Sequence, residues 1–183
     1  MKLKSRIHSA DKPTSALTKF SKHFSSVQGT VLDVPSGSGR NAFWLRELGL
    51  DVVCLDRDKE ALDFIDEKTS SESFLKDRGR ITTVNCDLFE DHWPFPRAHF
   101  SATIKVDFFL MSLFEKINFS LKSDGLLFFH TFSNRGGNYL ALPKTGEIHS
   151  LLSKDYVIEF AQERHAGPSD SNAVTVSLLA RKK

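Results

Sequence analysis

The stretch Thr30 to Leu48, T-V-L-D-V-P-S-G-S-G-R-N-A-F-W-L-R-E-L, limits what the chain can become more than any other. A short β-branched and apolar run, Val31, Leu32 and Val34, carries one acid, Asp33, and breaks at Pro35-Ser36-Gly37-Ser38-Gly39. Apolar residues then return at helical spacing, so the local reading is strand, tight Gly-rich turn, helix. Gly37 and Gly39 lack a Cβ, which lets the backbone take φ > 0 and lets a ligand approach it closely. The following helix points its free N–H groups and the positive end of its dipole at the same spot, which suits a phosphate or a carboxylate. Asp33 sets a negative charge beside that spot. A phosphate alone gains nothing from such a neighbour, whereas a ligand carrying both a carboxylate and a cation uses both features.

The rest of the chain repeats the alternation. Phe43, Trp44, Leu45 and Leu48 give the first helix an apolar face, and Gly49 ends it. Asp51 to Asp56 is a continuous apolar strand closed by an acid, as a parallel sheet covered on both faces requires. Asp56 falls 17 residues after Gly39, at the end of the second strand of a βαβ unit, where an acid accepts from both hydroxyls of a ribose. Its bland alternative is an N-cap for a helix over Lys59 to Glu67. Arg80 to Cys86 reads as a third strand, followed by Asp87-Leu88, and Phe100 to Val106 as a fourth, ending in Asp107-Phe108-Phe109. Between them W-P-F-P leaves little room for a long helix, and Trp93 and Phe95 are expected to pack under the loop. Leu110, Leu113, Phe114, Ile117 and Leu121 form a helical stripe, and Gly125 to Phe132 is a fifth strand. Ser133 to Glu147 is a Gly- and Pro-punctuated loop, Ile148 to Leu152 a helical turn. Tyr156 to Phe160 and Val174 to Ala180 are expected to pair as an antiparallel hairpin across the polar turn Ala166 to Asn172. Ahead of the first strand, Leu17, Phe20 and Phe24 predict one amphipathic helix over Ser15 to Ser26, lying over the sheet end or the ligand mouth.

V-L-D-V-P-S-G-S-G-R-N resembles the first motif of class I S-adenosylmethionine-dependent methyltransferases, an acid followed by G-x-G, with Pro35 in place of the first glycine of the common form. S-adenosyl-L-methionine has the composite charge inferred above: a carboxylate, an ammonium and a sulfonium. G-S-G-R-N-A-F-W-L, the closing V-S-L-L-A-R-K-K and the small size are similar to the tellurite-resistance and related small bacterial methyltransferases. The resemblance implies one α/β Rossmann-like domain over residues 1–183, with a mostly parallel seven-stranded sheet in the order 3-2-1-4-5-7-6. It also implies helices on both faces, an antiparallel C-terminal edge, a helical extension over 1–29 and an acceptor loop over 133–150. Residue by residue, it implies cofactor contacts from Asp33, Pro35, Ser36, Gly37, Gly39, Arg40 and Asn41. Asp56 and Arg57 belong to the second motif, Asp87 and Leu88 to the adenine, and Asp107 to the methionine ammonium or to the orientation of an acceptor. Asp107, His130 and Arg135 are the candidates for catalysis, beside a bland reading of His130 as a satisfied core histidine. Phe108, Phe109 and Phe132 stand where aromatic faces suit a sulfonium, although with 16 Phe in the chain core packing is the simpler reading. Asn134, Arg135, Asn138 and Glu147 are the polar candidates of the acceptor loop. Methyl transfer from a sulfonium to a small thiol or chalcogen oxyanion needs alignment more than acid–base help.

Two other classes remain open at this point. Gly37 to Ala42 also fits G-x-G-x-x-A, which with Asp56 meets the loose fingerprint of an NAD(P)-binding oxidoreductase; against it, Asp33 would face a pyrophosphate. A non-catalytic S-adenosylmethionine-binding module is the other. Composition adds exclusions. A net charge of +2 spread over 183 residues, with basic residues at both ends but no interleaved aromatics, argues against nucleic acid as a partner. No apolar run approaches the roughly 18 residues of a membrane span, and no hydrophobic leader is evident. Cys54 and Cys86 lack C-x-x-C or His partners, which predicts two structural thiols, no metal and a cytoplasmic protein, monomer or homodimer.

Overall fold

The computed structural model describes residues 12–70, 78–133, 143, 146–166 and 174–183. In chain order the elements are α1 (Ser15–Thr18), α2 (Ser21–Ser25), β1 (Val31–Asp33), α3 (Arg40–Glu47), β2 (Val52–Asp56), α4 (Lys59–Thr69) and β3 (Ile81–Asn85). Then follow β4 (Phe100–Val106), α5 (Met111–Ser120), β5 (Leu121–Ser133), α6 (Glu147–Leu152), β6 (Tyr156–His165) and β7 (Val174–Lys182). The strands form one seven-stranded sheet in the order β3-β2-β1-β4-β5-β7-β6, as the resemblance implies. β1 pairs in parallel with β2 and with β4, so the chain leaves it in both directions and the Gly-rich turn stands at the switch point, where open α/β sheets bind ligands. β7 runs antiparallel between β5 and β6.

Both faces of the sheet are covered. On one, Leu17, Phe24, Leu45 and Ile65 from α1 to α4 pack over Val31, Cys54, Ala102 and Ile104. On the other, Leu113, Phe114 and Ile117 of α5 and Ile148 and Leu152 of α6 pack over Leu32, Leu55, Leu127 and Phe129. Two-sided burial is why Val52 to Leu55 of β2 read as an unbroken apolar run. Trp93 and Phe95 do pack under their loop: Phe95 meets Trp93 and Phe100 edge to face at 5.2 and 4.8 Å, and no helix joins β3 to β4.

Three expectations and one alternative reading need correction. The helix expected over Ser15 to Ser26 is two short turns, α1 and α2, broken at Lys19–Phe20; Phe20 takes φ −100°, ψ 20° and places its ring against Phe128 and Phe160, over the sheet. Spacing of 17, 20 and 24 is met equally by one helix or by two turns. Leu121 is not the last residue of the α5 stripe but the first of β5, where it pairs with Phe100 before the register shifts. The helix after β2 is capped not by Asp56 but by Asp58, whose Oδ1 accepts from the Glu60 and Ala61 amides at 3.1 and 3.2 Å. β6 runs on to His165, five residues beyond its expected end at Phe160. Arg135, Asn134, Asn138 and most of the expected acceptor loop lie outside the described residues, as does most of the expected hairpin turn.

Candidate functional site

The carboxyl ends of β1, β2 and β4 open onto a cavity of about 330 Å³. Pro35, Ser36, Gly37, Ser38, Arg40 and Asn41 form its floor, with Asp56, Asp58, Glu60, Ala61 and Phe64 on one side and Val106 and Asp107 on the other. A second cavity of about 160 Å³ shares Pro35 and Asp56 with the first and continues past Arg57, Cys86, Asp87, Leu88, Phe89 and Phe108. Ten of the cofactor contacts expected from the sequence, and Phe108 with them, therefore meet around two adjoining spaces.

Backbone conformation explains the floor. Gly37 and Gly39 have φ of 52° and 80°, and Gly39 is the N-cap of α3. A Cβ on Gly37 would meet nothing within 4 Å, so its backbone faces open space; on Gly39 it would strike Ile65 at 2.9 Å. Gly37 thus serves approach to the cavity and Gly39 serves helix packing. Pro35, after a cis Val34–Pro35 peptide, lines both spaces. Asn41 is buried, and its Oδ1 accepts from the Thr14 amide at 2.9 Å, tying the N-terminal turns to the floor.

Asp56 joins the loops. Its Oδ2 accepts from the Gly37 amide at 2.7 Å and its Oδ1 from the Asp58 amide at 2.9 Å. A carboxylate offers about four lone-pair sites, so both oxygens keep capacity for a ligand hydroxyl. Asp107 stands opposite with φ 54°; its amide donates to the His130 carbonyl at 2.8 Å and its carboxylate pairs with the Arg40 guanidinium at 2.6 Å. In the smaller cavity Arg57 and Asp87 approach to 3.6 Å, and Asp87 Oδ1 accepts from the Phe89 amide at 2.9 Å. Lys116 holds the Leu88 carbonyl at 2.9 Å.

Asp33 lines neither cavity. It is 0% exposed at the end of β1, and neither of its carboxylate oxygens closes a well-formed hydrogen bond. Burial first, then the like charge of Asp56, push its pKa up to about 8, against the pull of the Arg40 guanidinium and the Ala42 backbone N–H. His130 lies beyond Asp107 on β5, half-buried, with Nδ1 2.7 Å from Ser177 Oγ across the β5–β7 pair. Burial draws its pKa below the usual imidazole value, with Asp107 opposing and Arg40 and Lys19 adding to the shift. Phe132, next but one along β5, is 47% exposed.

Phe64 and Phe89 line the two cavities although no motif of the sequence marks them. Phe64 falls off the apolar stripe of α4, and Phe89 is 60% exposed, in edge contact with Phe108. An aromatic residue on the polar side of an amphipathic helix was the available signal. No group of three His, Cys, Asp or Glu suited to a metal occurs among the described residues, and no described helix is long and apolar enough to cross a membrane.

Among solved structures the fold is similar to TehB from Haemophilus influenzae, with 18% identity over 92% of this chain and 61% of that one, TM-score 0.71. The chain thus spans about three fifths of the length of that TehB. It is also similar to geranyl diphosphate methyltransferase in complex with SAM, at 13% identity over 92% of this chain and 85% of that one, TM-score 0.70. The [4+2]-cyclase SpnF is as similar, at 16% identity over 91% and 79% of the two chains, TM-score 0.72. Likeness at these identities is one of fold, and the same fold carries different reactions. No curated protein matches the sequence. A family description does match: residues 31–125, from the first residue of β1 into β5 and so through the floor and both walls of the two cavities, fit the methyltransferase domain, and the chain belongs to that family.

Proposed function

We propose that the chain is an S-adenosylmethionine-dependent methyltransferase whose acceptor is a small molecule. The observation that carries this reading is the charge around the larger cavity: four carboxylates, Asp56, Asp58, Glu60 and Asp107, face a single guanidinium, Arg40. S-adenosylmethionine, with a sulfonium and an ammonium against one carboxylate, is a net cation and suits that inventory; the pyrophosphate of NAD does not. Asp33 adds a buried acid whose carboxylate closes no well-formed hydrogen bond.

When bound, the cofactor supplies a methyl group on a positively charged sulfur for in-line displacement. The residues around it divide its binding. Asp56 accepts from the ribose hydroxyls while keeping the Gly37 amide in place. Arg57, Asp87, Leu88, Phe89 and Phe108 enclose the adenine in the smaller cavity. The Arg40–Asp107 pair opens around the amino-acid end, Arg40 taking the carboxylate and Asp107 the ammonium. Acceptors enter past the ends of β4 and β5, where burial favours neutral His130 and its Nδ1 meets Ser177 Oγ; the tautomer that donates from Nδ1 to that hydroxyl leaves Nε2 to receive a proton from an acceptor that carries one. Thiols and chalcogen oxyanions are first candidates, because an anionic nucleophile in a water-poor pocket needs alignment and little else. The free, buried thiols Cys54 and Cys86 accord with a reducing, cytoplasmic setting.

Calorimetric titration with S-adenosylmethionine, S-adenosylhomocysteine and NAD tests the reading. Binding of the two adenosyl thio compounds without NAD is expected; binding of NAD alone would overturn it.

A further inference from the structure

Lys105 is a charged residue in the middle of the core, 0% exposed, on β4 two positions before Asp107. Its Nζ lies among four aromatic rings, 4.7 Å from the centroid of Phe129, 4.9 Å from Phe114, 5.4 Å from Phe108 and 5.5 Å from Phe109. The ammonium donates to the Phe108 carbonyl at 2.5 Å. β5, α5 and the β4–α5 link present rings to it, and no charged side chain among the described residues acts on it; burial alone draws its pKa from 10.5 to about 7. Four ring faces return part of the lost hydration, but an isolated cation remains a costly core residue, and a methionine of similar length would fill the space at lower cost.

What a lysine supplies and a methionine cannot is a donor for that carbonyl. The carbonyl belongs to the link between β4 and α5, which turns sharply because Asp107 takes φ 54°. The two side chains on this turn serve different cavities, Asp107 the larger and Phe108 the smaller. The backbone the lysine holds is therefore the backbone that sets both walls. We propose that Lys105 is a positioning residue: caged by aromatic rings, it fixes the Phe108 carbonyl and thereby presents Asp107 and the Phe108 ring to the two cavities. In that part the inference rests on these cavities being the cofactor site.

The test uses the full chain and two readouts. In wild type, the side-chain 13Cε signal of Lys105 and the backbone amide of Phe109, whose nitrogen shares the peptide with the Phe108 carbonyl, are followed by NMR from pH 5.5 to 9. Both are expected to titrate together with one midpoint near 7; a Phe109 amide that ignores the lysine's titration overturns the proposal without any ligand. Lys105→Met is then compared with wild type by thermal melting and by calorimetry with S-adenosylhomocysteine. The variant is expected to melt higher, most clearly at pH 6 where the wild-type amine is charged, yet to bind at least tenfold more weakly there, with the difference shrinking above pH 8. Equal affinity across that range overturns the positioning role. Absence of binding to wild type would instead remove the cofactor reading, and the paired titration would still decide whether Lys105 governs the link.

Discussion

The Gly37 amide donates to Asp56 Oδ2 at 2.7 Å, so the acid at the end of β2 closes the glycine turn that follows β1. Its other oxygen closes the turn into α4 through the Asp58 amide. Asp56 thus closes two turns and lines both cavities at once. Replacement by alanine leaves two backbone donors without their partner, a loss of about 1–3 kcal/mol in unfolding free energy. S-adenosylhomocysteine affinity should fall by more than tenfold, because the floor and the proposed ribose contact would be lost together. Denaturant unfolding and calorimetry on Asp56→Ala measure the two losses; an unchanged affinity would show that the ribose lies elsewhere.

The two glycines of the turn should respond differently to alanine. Each substitution places a Cβ on a left-handed backbone, at a cost of about 1–2 kcal/mol. In Gly39→Ala the new methyl also strikes the buried Ile65 at 2.9 Å, so its melting temperature should fall further. Gly37→Ala meets no protein atom but projects beside the cavity floor. It should melt closer to wild type and bind the cofactor far more weakly. Thermal melts with and without S-adenosylhomocysteine separate the cases: only Gly39→Ala should retain most of the ligand's stabilising shift.

Much of this arrangement is written locally. An acid closing an unbroken apolar strand placed Asp56, and the strand, Gly turn and helix around Gly37 placed the floor, because in a parallel sheet ligands collect where strands end. Leu121 escaped because a helical stripe does not mark its own end: the residue at i+11 stays apolar whether the helix continues or a strand begins. Lys105 escaped for a different reason. A lysine in an apolar strand reads as an edge or surface residue, and the four rings that cage it come from three separate segments, a coincidence no sequence window contains. Phe64 and Phe89 owe their place to the cavity between elements, which periodicity along one element does not register.

Asp33 makes stability and binding respond to pH in opposite directions. Its folded pKa is raised from 3.8 to about 8, so the stability it contributes is full below pH 4 and is lost as pH rises through 8. Asp33→Asn stays neutral, and its melting temperature should exceed that of wild type by several degrees at pH 9, with the gap closing toward pH 4. A cationic ligand favours the ionised acid, so wild-type affinity should rise between pH 6 and 8, with a proton released on binding. Calorimetry at pH 7 in two buffers of different ionisation enthalpy detects that proton. Asp33→Asn should release none, and equal release from both proteins would assign the proton to another group.

Arg40 and Asp107 form a short pair, but both side chains are partly exposed, so the pair should add at most about 1 kcal/mol to stability. Arg40→Ala should therefore melt within a few degrees of wild type. If the guanidinium takes the cofactor's carboxylate, affinity for S-adenosylhomocysteine should drop by one to two orders of magnitude, while affinity for 5′-methylthioadenosine, which lacks the amino-acid end, should not change. Parallel losses for both ligands would place Arg40 against another part of the cofactor.

His130 and Ser177 face each other across the β5–β7 pair, and the hydroxyl determines which imidazole nitrogen is left for chemistry. In the tautomer whose Nδ1–H donates to Ser177 Oγ, Nε2 is the basic atom, and burial keeps the ring neutral to lower pH than an exposed histidine. Two outcomes then separate acceptors by their own acidity. For a protonated acceptor, His130→Gln should lower kcat by about 100-fold or more with little change in KM for S-adenosylmethionine, and Ser177→Ala should lower it less and shift the acid limb of the pH profile. For an acceptor already anionic at neutral pH, both variants should turn over at close to the wild-type rate, since no proton has to leave. Running the same pair of variants against a thiol of high pKa and one of low pKa shows whether the imidazole removes a proton or only fills the wall, because a wall residue would slow both acceptors alike.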